Sequence, residues 1–514
     1  MHNLSRIVRL KTFTAFAVLF ICFTTMVNAQ TADCQKIIVN IDKSIAGDKP
    51  VSGRLLIFMR KDDGNPSDGF GASFRDPNAV FISGTEIANL SSDEPVTIDP
   101  NANSYPAAFS TAEPGEYQVF AILDRDNSYT YGGAGAGDIY AKVEKATMPT
   151  NLISLTLSAV VPEPKRDISA NVKLIEFVSP MLSKFWGRPI LMRATVVLPP
   201  SYEAKRSEKY PTVYTITGYG GTRFSALRSA ASMSTAMSEG KWPEMIYVNL
   251  ESQVPLGHHV WADSANNGPW GTALEKEFIP YLEKEFRMDA KPSGRFVTGH
   301  SSGGWSSLWV MVSHPDFFGG TWSTSPDPVD FRNFTGPDLT KNTNAYTNAD
   351  GKEYNLVRMN GKEIMSVKQY AQQEMVKGYY GGQFASFNAV FSPKGDDGQP
   401  MKLFDIDTGR IDPFVAKAWE KYDISLLLRS NWKTIGPKLK GKLHIWVGTA
   451  DTFHLNEAVE LLDGELKKLG SDAKIEYLEG RTHSDMYKDG LAEKIAWEMY
   501  AVARPKAKRS AAAN

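Results

Sequence analysis

Two cysteines occur in 514 residues, Cys22 and Cys34, too few for a disulfide framework. Charge of one sign is missing too. Against 57 Lys and Arg stand 58 Asp and Glu, a net charge of −1, so no strong field favours nucleic acid or an anionic membrane. Beyond residue 27 no apolar run approaches the roughly 20 residues of a spanning helix. Histidine is scarce, with eight in the chain, which makes the position of each one informative. What is present is ordinary for a globular protein: 42% apolar and 22% charged residues, in a length that suggests two or more domains.

Residues 1–29 stand apart. Arg6, Arg9 and Lys11 precede an uncharged apolar run from Phe13 to Val27, and Val27-Asn28-Ala29 supplies small residues before Gln30. That is the pattern of a secretory signal peptide. A membrane anchor is the competing reading, but the run is short for one. Cleavage would remove Cys22 and three positive charges, moving the balance from −1 to −4. Cys34 would then be alone, and stability would rest on the core rather than on a disulfide. Thr31-Ala32-Asp33 before Cys34 does not read as a lipobox. The expectation is a soluble exported protein, periplasmic or extracellular, with no membrane attachment after cleavage and no nucleic-acid partner.

The remainder divides in two. From 35 to 161, strand-like runs ("GRLLIFMR", "GEYQVFAILD", "LISLTLSAVV") alternate with loops rich in Gly, Asp and Ser, which suggests an all-β, immunoglobulin-like sandwich. Asp124, Asp126 and Asn127 are spaced as calcium ligands might be, but the twelve-residue loop pattern is incomplete, and a solvated turn is the preferred reading. "GGAGAG" at 132–137 lacks the lysine and helix of a phosphate loop. No metal and no cofactor is expected. Prolines and charges at 162–174 mark a linker.

From 175 to 505 apolar strand-like runs alternate with amphipathic helical stretches, the signature of an α/β fold with a mostly parallel sheet. In it "RFVTGHSSGGWSSLWVMVSH" (295–314) places Gly299-x-Ser301-x-Gly303 between a strand and a helix. This is the context of a nucleophile elbow, where a serine sits on a strained turn and glycines let strand and helix approach. The serine needs a base and an acid. His2 lies in the signal. His300 is the variable position of the elbow, His314 sits at the far end of the following helix, and His444 lies within a strand. His258 and His259 precede the elbow, and His454 lies three residues past an acid. His483 in "GRTHSDMY" follows a late strand and precedes the last helix, and Asp451 in "VGTADTF" follows the strand before it. The order Ser301, Asp451, His483 is that of α/β hydrolases. Asp263, Asp327 and Asp485 are weaker candidates for the acid. The backbone N–H groups of Ser302 and Tyr219 are the expected oxyanion donors. The loop at 257–270, with His259, Trp261, Asn266, Asn267 and Trp270, is expected to line a pocket for sugars or aryl acids. More than a hundred residues, about 328–440, separate two strands and are read as a cap, with "GKEIMSVKQYAQQEMVKGYY" (361–380) as one of its helical parts. The tail 506–514 is expected to be disordered.

The segments "ATVVLPPSYEAKRSEKYPTVYTITGYGG", "FVTGHSSGGWSSLWVMVSHPDFFGGTWSTSP", "VGTADTF" and "GRTHSDMY" together resemble the esterase family of α/β hydrolases that includes esterase D, feruloyl and acetyl xylan esterases, enterochelin esterases and mycolyltransferases. The resemblance spans most of 185–505 and implies ester hydrolysis by a serine nucleophile without metal or organic cofactor. Where members often carry His-Gly, this chain has Thr217-Gly218. The expected partner is a small-molecule or polysaccharide-linked ester. An acyltransferase on the same triad and a non-catalytic carbohydrate-binding protein on the same fold are the rival readings.

Overall fold

The computed structural model describes residues 35–507 apart from 48, 66 and 206. The expected signal peptide and residues 508–514 of the expected tail lie outside the described residues. Among those described, no helix is long and apolar enough to cross a membrane.

Eight strands between Val172 and Leu478 form one sheet. Numbered along the chain, their spatial order is 1-2-4-3-5-6-7-8. The first two, Val172–Val178 and Leu191–Val197, join antiparallel, and the other six run parallel to one another. This is the α/β-hydrolase fold. Its central strands, such as Ile246–Leu250 and Leu443–Gly448, are buried at every residue, because a parallel sheet covered by helices on both faces has no solvent side. The helix Ser302–Ser313 packs against the strands on either side of it. It is apolar or small nearly all round, as a fully enclosed helix must be.

Two sequence expectations change. The first strand of the sheet, Val172–Val178, begins inside the expected linker. It is an edge strand with mostly exposed side chains, so it carries little apolar signal. The stretch 361–380, expected to be helical, opens instead with a strand, Lys362–Ser366. This strand pairs back on Asn355–Met359, and the helix Val367–Lys377 follows. Asn360 and Gly361 at the bend both have positive φ (51° and 73°), the conformation for which Asn-Gly is the strongest hairpin signal.

The strands between Lys36 and Val160 belong to one nine-stranded hydrogen-bonded sheet, in which Lys36–Ile41 runs parallel to Leu152–Val160. An immunoglobulin-like sandwich has two separate sheets. The strand Val51–Lys61 is buried on both faces. Leu55, Ile57 and Met59 point into a core formed within the N-terminal sheet. Leu56 and Phe58, on the opposite face, join Phe120, Ile122 and the hydrolase residues Trp305 and Met311 in the largest apolar core. Polar contacts reinforce the join. Arg54 Nη2 donates to the Val376 carbonyl at 2.9 Å, Thr130 Oγ1 to the Gly378 carbonyl at 2.9 Å, and Tyr131 Oη to the Gly221 carbonyl at 3.0 Å.

Candidate active site

The strand Arg295–His300 ends at Ser301, whose φ of 62° and ψ of −127° turn the chain directly into the helix Ser302–Ser313. A non-glycine residue holds that conformation only when its surroundings over-determine it. The flanking glycines show how tightly they do. A Cβ on Gly299 would collide with the Gly303 backbone, one on Gly303 with the Ile216 carbonyl, and one on Gly304 would lie 2.7 Å from the Thr324 carbonyl oxygen.

Asp451 lies just past the strand Leu443–Gly448 and is fully buried. Its Oδ2 faces His483 Nδ1 at 2.9 Å, and its Oδ1 accepts the Phe453 N–H at 2.9 Å. Burial alone would raise the Asp451 pKa, but His483 and these hydrogen bonds hold it below the usual value. An anionic Asp451 fixes His483 as the tautomer with its proton on Nδ1, leaving Nε2 as the basic nitrogen. The acid loop is braced from the insertion: Arg358 Nε donates to the Asp451 carbonyl at 2.8 Å and Nη2 to the Thr449 carbonyl at 3.1 Å. The His483 ring lies between His300 (centroids 4.4 Å apart) and Phe453 (4.9 Å). Burial, then the neighbouring His483, pushes His300 down to a pKa of about 3, so its ring is neutral.

Ser301 Oγ donates to Asp327 Oδ1 at 3.4 Å, and its hydrogen bond in this arrangement is to Asp327 rather than to His483. Asp327 was weighed from the sequence as a triad acid. The structure puts it beside the nucleophile, where its Oδ2 accepts from Ser302 Oγ at 2.5 Å and Gln383 Nε2 at 3.2 Å. Burial raises its pKa to about 6. Asp263 accepts from Thr272, and Asp485, two residues past His483, accepts from Thr482.

The loop after the strand Thr212–Ile216 passes close to the nucleophile: a Cβ on Gly218 would sit 3.3 Å from Ser301 Cβ. Among the described residues, neither the Tyr219 N–H nor the Ser302 N–H has a protein acceptor. Sequence reasoning missed what holds this loop. His258 Nε2 lies 2.7 Å from the Thr217 carbonyl, while its Nδ1 accepts the Val260 N–H at 3.0 Å. That pattern requires a neutral ring protonated on Nε2, and burial pushes the His258 pKa down to about 4. The Tyr219 hydroxyl lies within 2.7 Å of the Thr130 carbonyl and 2.8 Å of the Gly381 carbonyl, tying the loop to the N-terminal sheet and to the insertion.

The loop 257–270 does not meet its expectation. His259 and Trp261 are fully enclosed. His259 stacks on Trp270 at 3.9 Å and meets Trp261 edge-on at 4.6 Å. Asn267 and Trp270 are buried too and border a different cavity, beside Trp186 and Arg188. The aromatic and amide pattern is a packing pattern. The cavity that holds His483 and Asp327 has a volume of about 420 Å³. Its apolar walls come from the insertion (Leu356, Phe384, Phe387) and from a loop of the N-terminal half (Ala72, Phe74). Phe74 meets Phe453 edge-on at 5.9 Å. Asp124 and Asp126 cluster with Asp138. The Asp124 and Asp138 carboxylates accept backbone N–H groups of Ser128, Tyr129, Arg125 and Gly135, so they order their loop.

The model of the family described as "Putative esterase" matches residues 190–488, more than half of the chain. A curated relative, the uncharacterized protein YbbA of Bacillus subtilis (strain 168), is 26% identical over 144 residues, which is 26% of this chain. The chain spans about half the length of that relative, 56%. Among solved structures, a ferulic acid esterase is 15% identical with a TM-score of 0.42, over 64% of this chain and 98% of its own. An S-formylglutathione hydrolase from Agrobacterium tumefaciens is 13% identical with a TM-score of 0.38, over 66% and 98%.

Proposed function

Because the chain belongs to this esterase family, we propose that it is a carboxylic ester hydrolase that works through an acyl-enzyme on Ser301, with His483 as base and acid and Asp451 as its orienting partner. Ser301 Oγ leaves Asp327, gives its proton to His483 Nε2 and bonds to the ester carbonyl carbon. The carbonyl oxygen takes the negative charge and accepts the N–H groups of Ser302 and Tyr219. The tetrahedral intermediate collapses as His483 returns the proton to the alcohol oxygen. Water, deprotonated by the same nitrogen, then releases the acid and restores Ser301. The observation that carries this reading is the strained Ser301 at the head of a buried helix, with the His483–Asp451 pair at 2.9 Å in the adjoining site.

The aromatic side chains in the cavity wall favour aryl or otherwise apolar esters. A sugar linkage rested on the loop 257–270, which does not line that cavity. Export through residues 1–29 completes the reading, and N-terminal sequencing of protein recovered outside the cytoplasm should begin at Gln30.

A fluorophosphonate probe tests the chemistry directly. It should label wild-type protein at Ser301 and fail on Ser301→Ala and His483→Ala, while Asp451→Asn should lower kcat by about 10⁴-fold. Folded wild-type protein that takes no label would end the serine mechanism.

A further inference from the structure

Lys377 closes the helix Val367–Lys377 and lines the cavity that holds His483. The side chain is half-buried, and among the described residues its ammonium has neither an ion pair nor a hydrogen bond. That nitrogen is not sealed inside the protein, and the residue borders the cavity. An ammonium partly withdrawn from water gains from an anionic partner. The two acids that line the same cavity both accept hydrogen bonds from other groups. Glu374, one turn earlier, accepts the backbone N–H groups of Phe384 (3.1 Å) and Ala385 (2.9 Å) with its two oxygens. Asp327 is held by Ser301, Ser302 and Gln383. Burial holds the Lys377 pKa below the ordinary lysine value, and the Glu374 charge offsets this only in part. The cavity therefore offers one uncommitted cation beside apolar walls formed by Leu356, Phe384 and Phe387.

We infer that the substrate is an ester with an apolar body and a free carboxylate, and that Lys377 is the residue that receives the carboxylate. This rests on the esterase reading above. It makes Lys377 a specificity residue rather than a catalytic one: the carboxylate supplies the partner that the ammonium lacks, and a neutral ester leaves it unpaired.

The test uses the full mature chain and two pairs of esters matched in size. In 4-nitrophenyl hydrogen glutarate against 4-nitrophenyl valerate the carboxylate is on the acyl side. In 4-acetoxybenzoate against its methyl ester it is on the alcohol side. The wild type should favour the carboxylated member of one pair by about 10-fold in kcat/KM, the size of one hydrogen bond to a charged group. K377Q and K377M should collapse that ratio, K377R should keep most of it, and added salt should erode it in the wild type without any substitution. A wild type with no preference in either pair, or a preference that survives in K377Q, overturns the assignment while fluorophosphonate labelling of Ser301 leaves the esterase reading standing. Should Ser301 label without turnover of any of the four, free glutarate or 4-hydroxybenzoate must slow labelling of the wild type more than of K377Q, and equal slowing overturns the assignment. A wild type that neither turns over nor labels removes the esterase mechanism and the subsite together.

Discussion

At the scale of single residues, several of the groups that shape this site carry no charge and do no chemistry. His258 holds the Thr217 carbonyl and so the loop that carries the Tyr219 N–H. His258→Asn should lower kcat by about 10-fold, less than the roughly 10²–10³-fold cost of losing an oxyanion donor outright. The same residue has a signature in pH. Its folded pKa, about 4, is depressed below an ordinary histidine value of about 6.5. As pH falls from 6.5 toward 4 the unfolded chain therefore takes up a proton that the folded chain refuses, and stability is lost across that window. Urea titrations at pH 7.5 and pH 5 should show the variant's stability deficit shrinking at the lower pH. Asp327 is a second case. Asp327→Ala would leave the buried Ser302 hydroxyl without its acceptor, at a cost of about 1–3 kcal/mol, readable as a lower denaturation midpoint.

At the scale of elements, the glycines around the elbow matter through what they leave out. Gly303→Ala would drive a methyl into the Ile216 carbonyl, and strand and helix cannot separate without displacing Ser301. A loss of at least about 2 kcal/mol is expected, measured by chemical denaturation, together with slower fluorophosphonate labelling. Much of this region was legible in the sequence. Arg295–His300 and Leu443–Gly448 are short β-type runs with an apolar centre, the mark of strands covered on both faces. Ser301, Asp451 and His483 stand just past the strands Arg295–His300, Leu443–Gly448 and Lys474–Leu478, the positions from which the sequence singles them out. What failed is equally physical. The side chains of the loop 257–270 have the composition of a sugar site, and composition does not say whether an aromatic ring faces a ligand or a neighbour; His259 and Trp270 face each other. Gln383 and Lys377 reach the site from the long insertion, and contacts between residues so far apart in the chain leave no local pattern. The hairpin at Asn360-Gly361 was the exception, a readable signal that the helical reading of the stretch passed over.

At the scale of the molecule, the two halves of the sequence do not make two independent bodies. The described residues from Gln35 onward belong to one compact unit, and Leu56, Phe58 and Ile122 share a core with Trp305 and Met311. Thermal unfolding of the chain should therefore give one cooperative transition. A fragment starting at residue 162 would expose the apolar face that the N-terminal sheet covers, and aggregation is its expected fate. Two separate transitions, or a soluble and active fragment, would contradict this.

Phe74 belongs to one half and Phe453 to the other, and they meet at the wall of the cavity. A molecule lodged there touches both, so it acts as a further rivet between halves already joined by their shared core and by the segment 162–171. Occupancy should then be visible to a protease. With the cavity filled at 100 times its dissociation constant, opening of the interface is opposed by about 2.7 kcal/mol, and cleavage within 162–171 should slow accordingly. The N-terminal half, remote from the reacting bond in sequence, would thus be guarded from degradation whenever the esterase is at work.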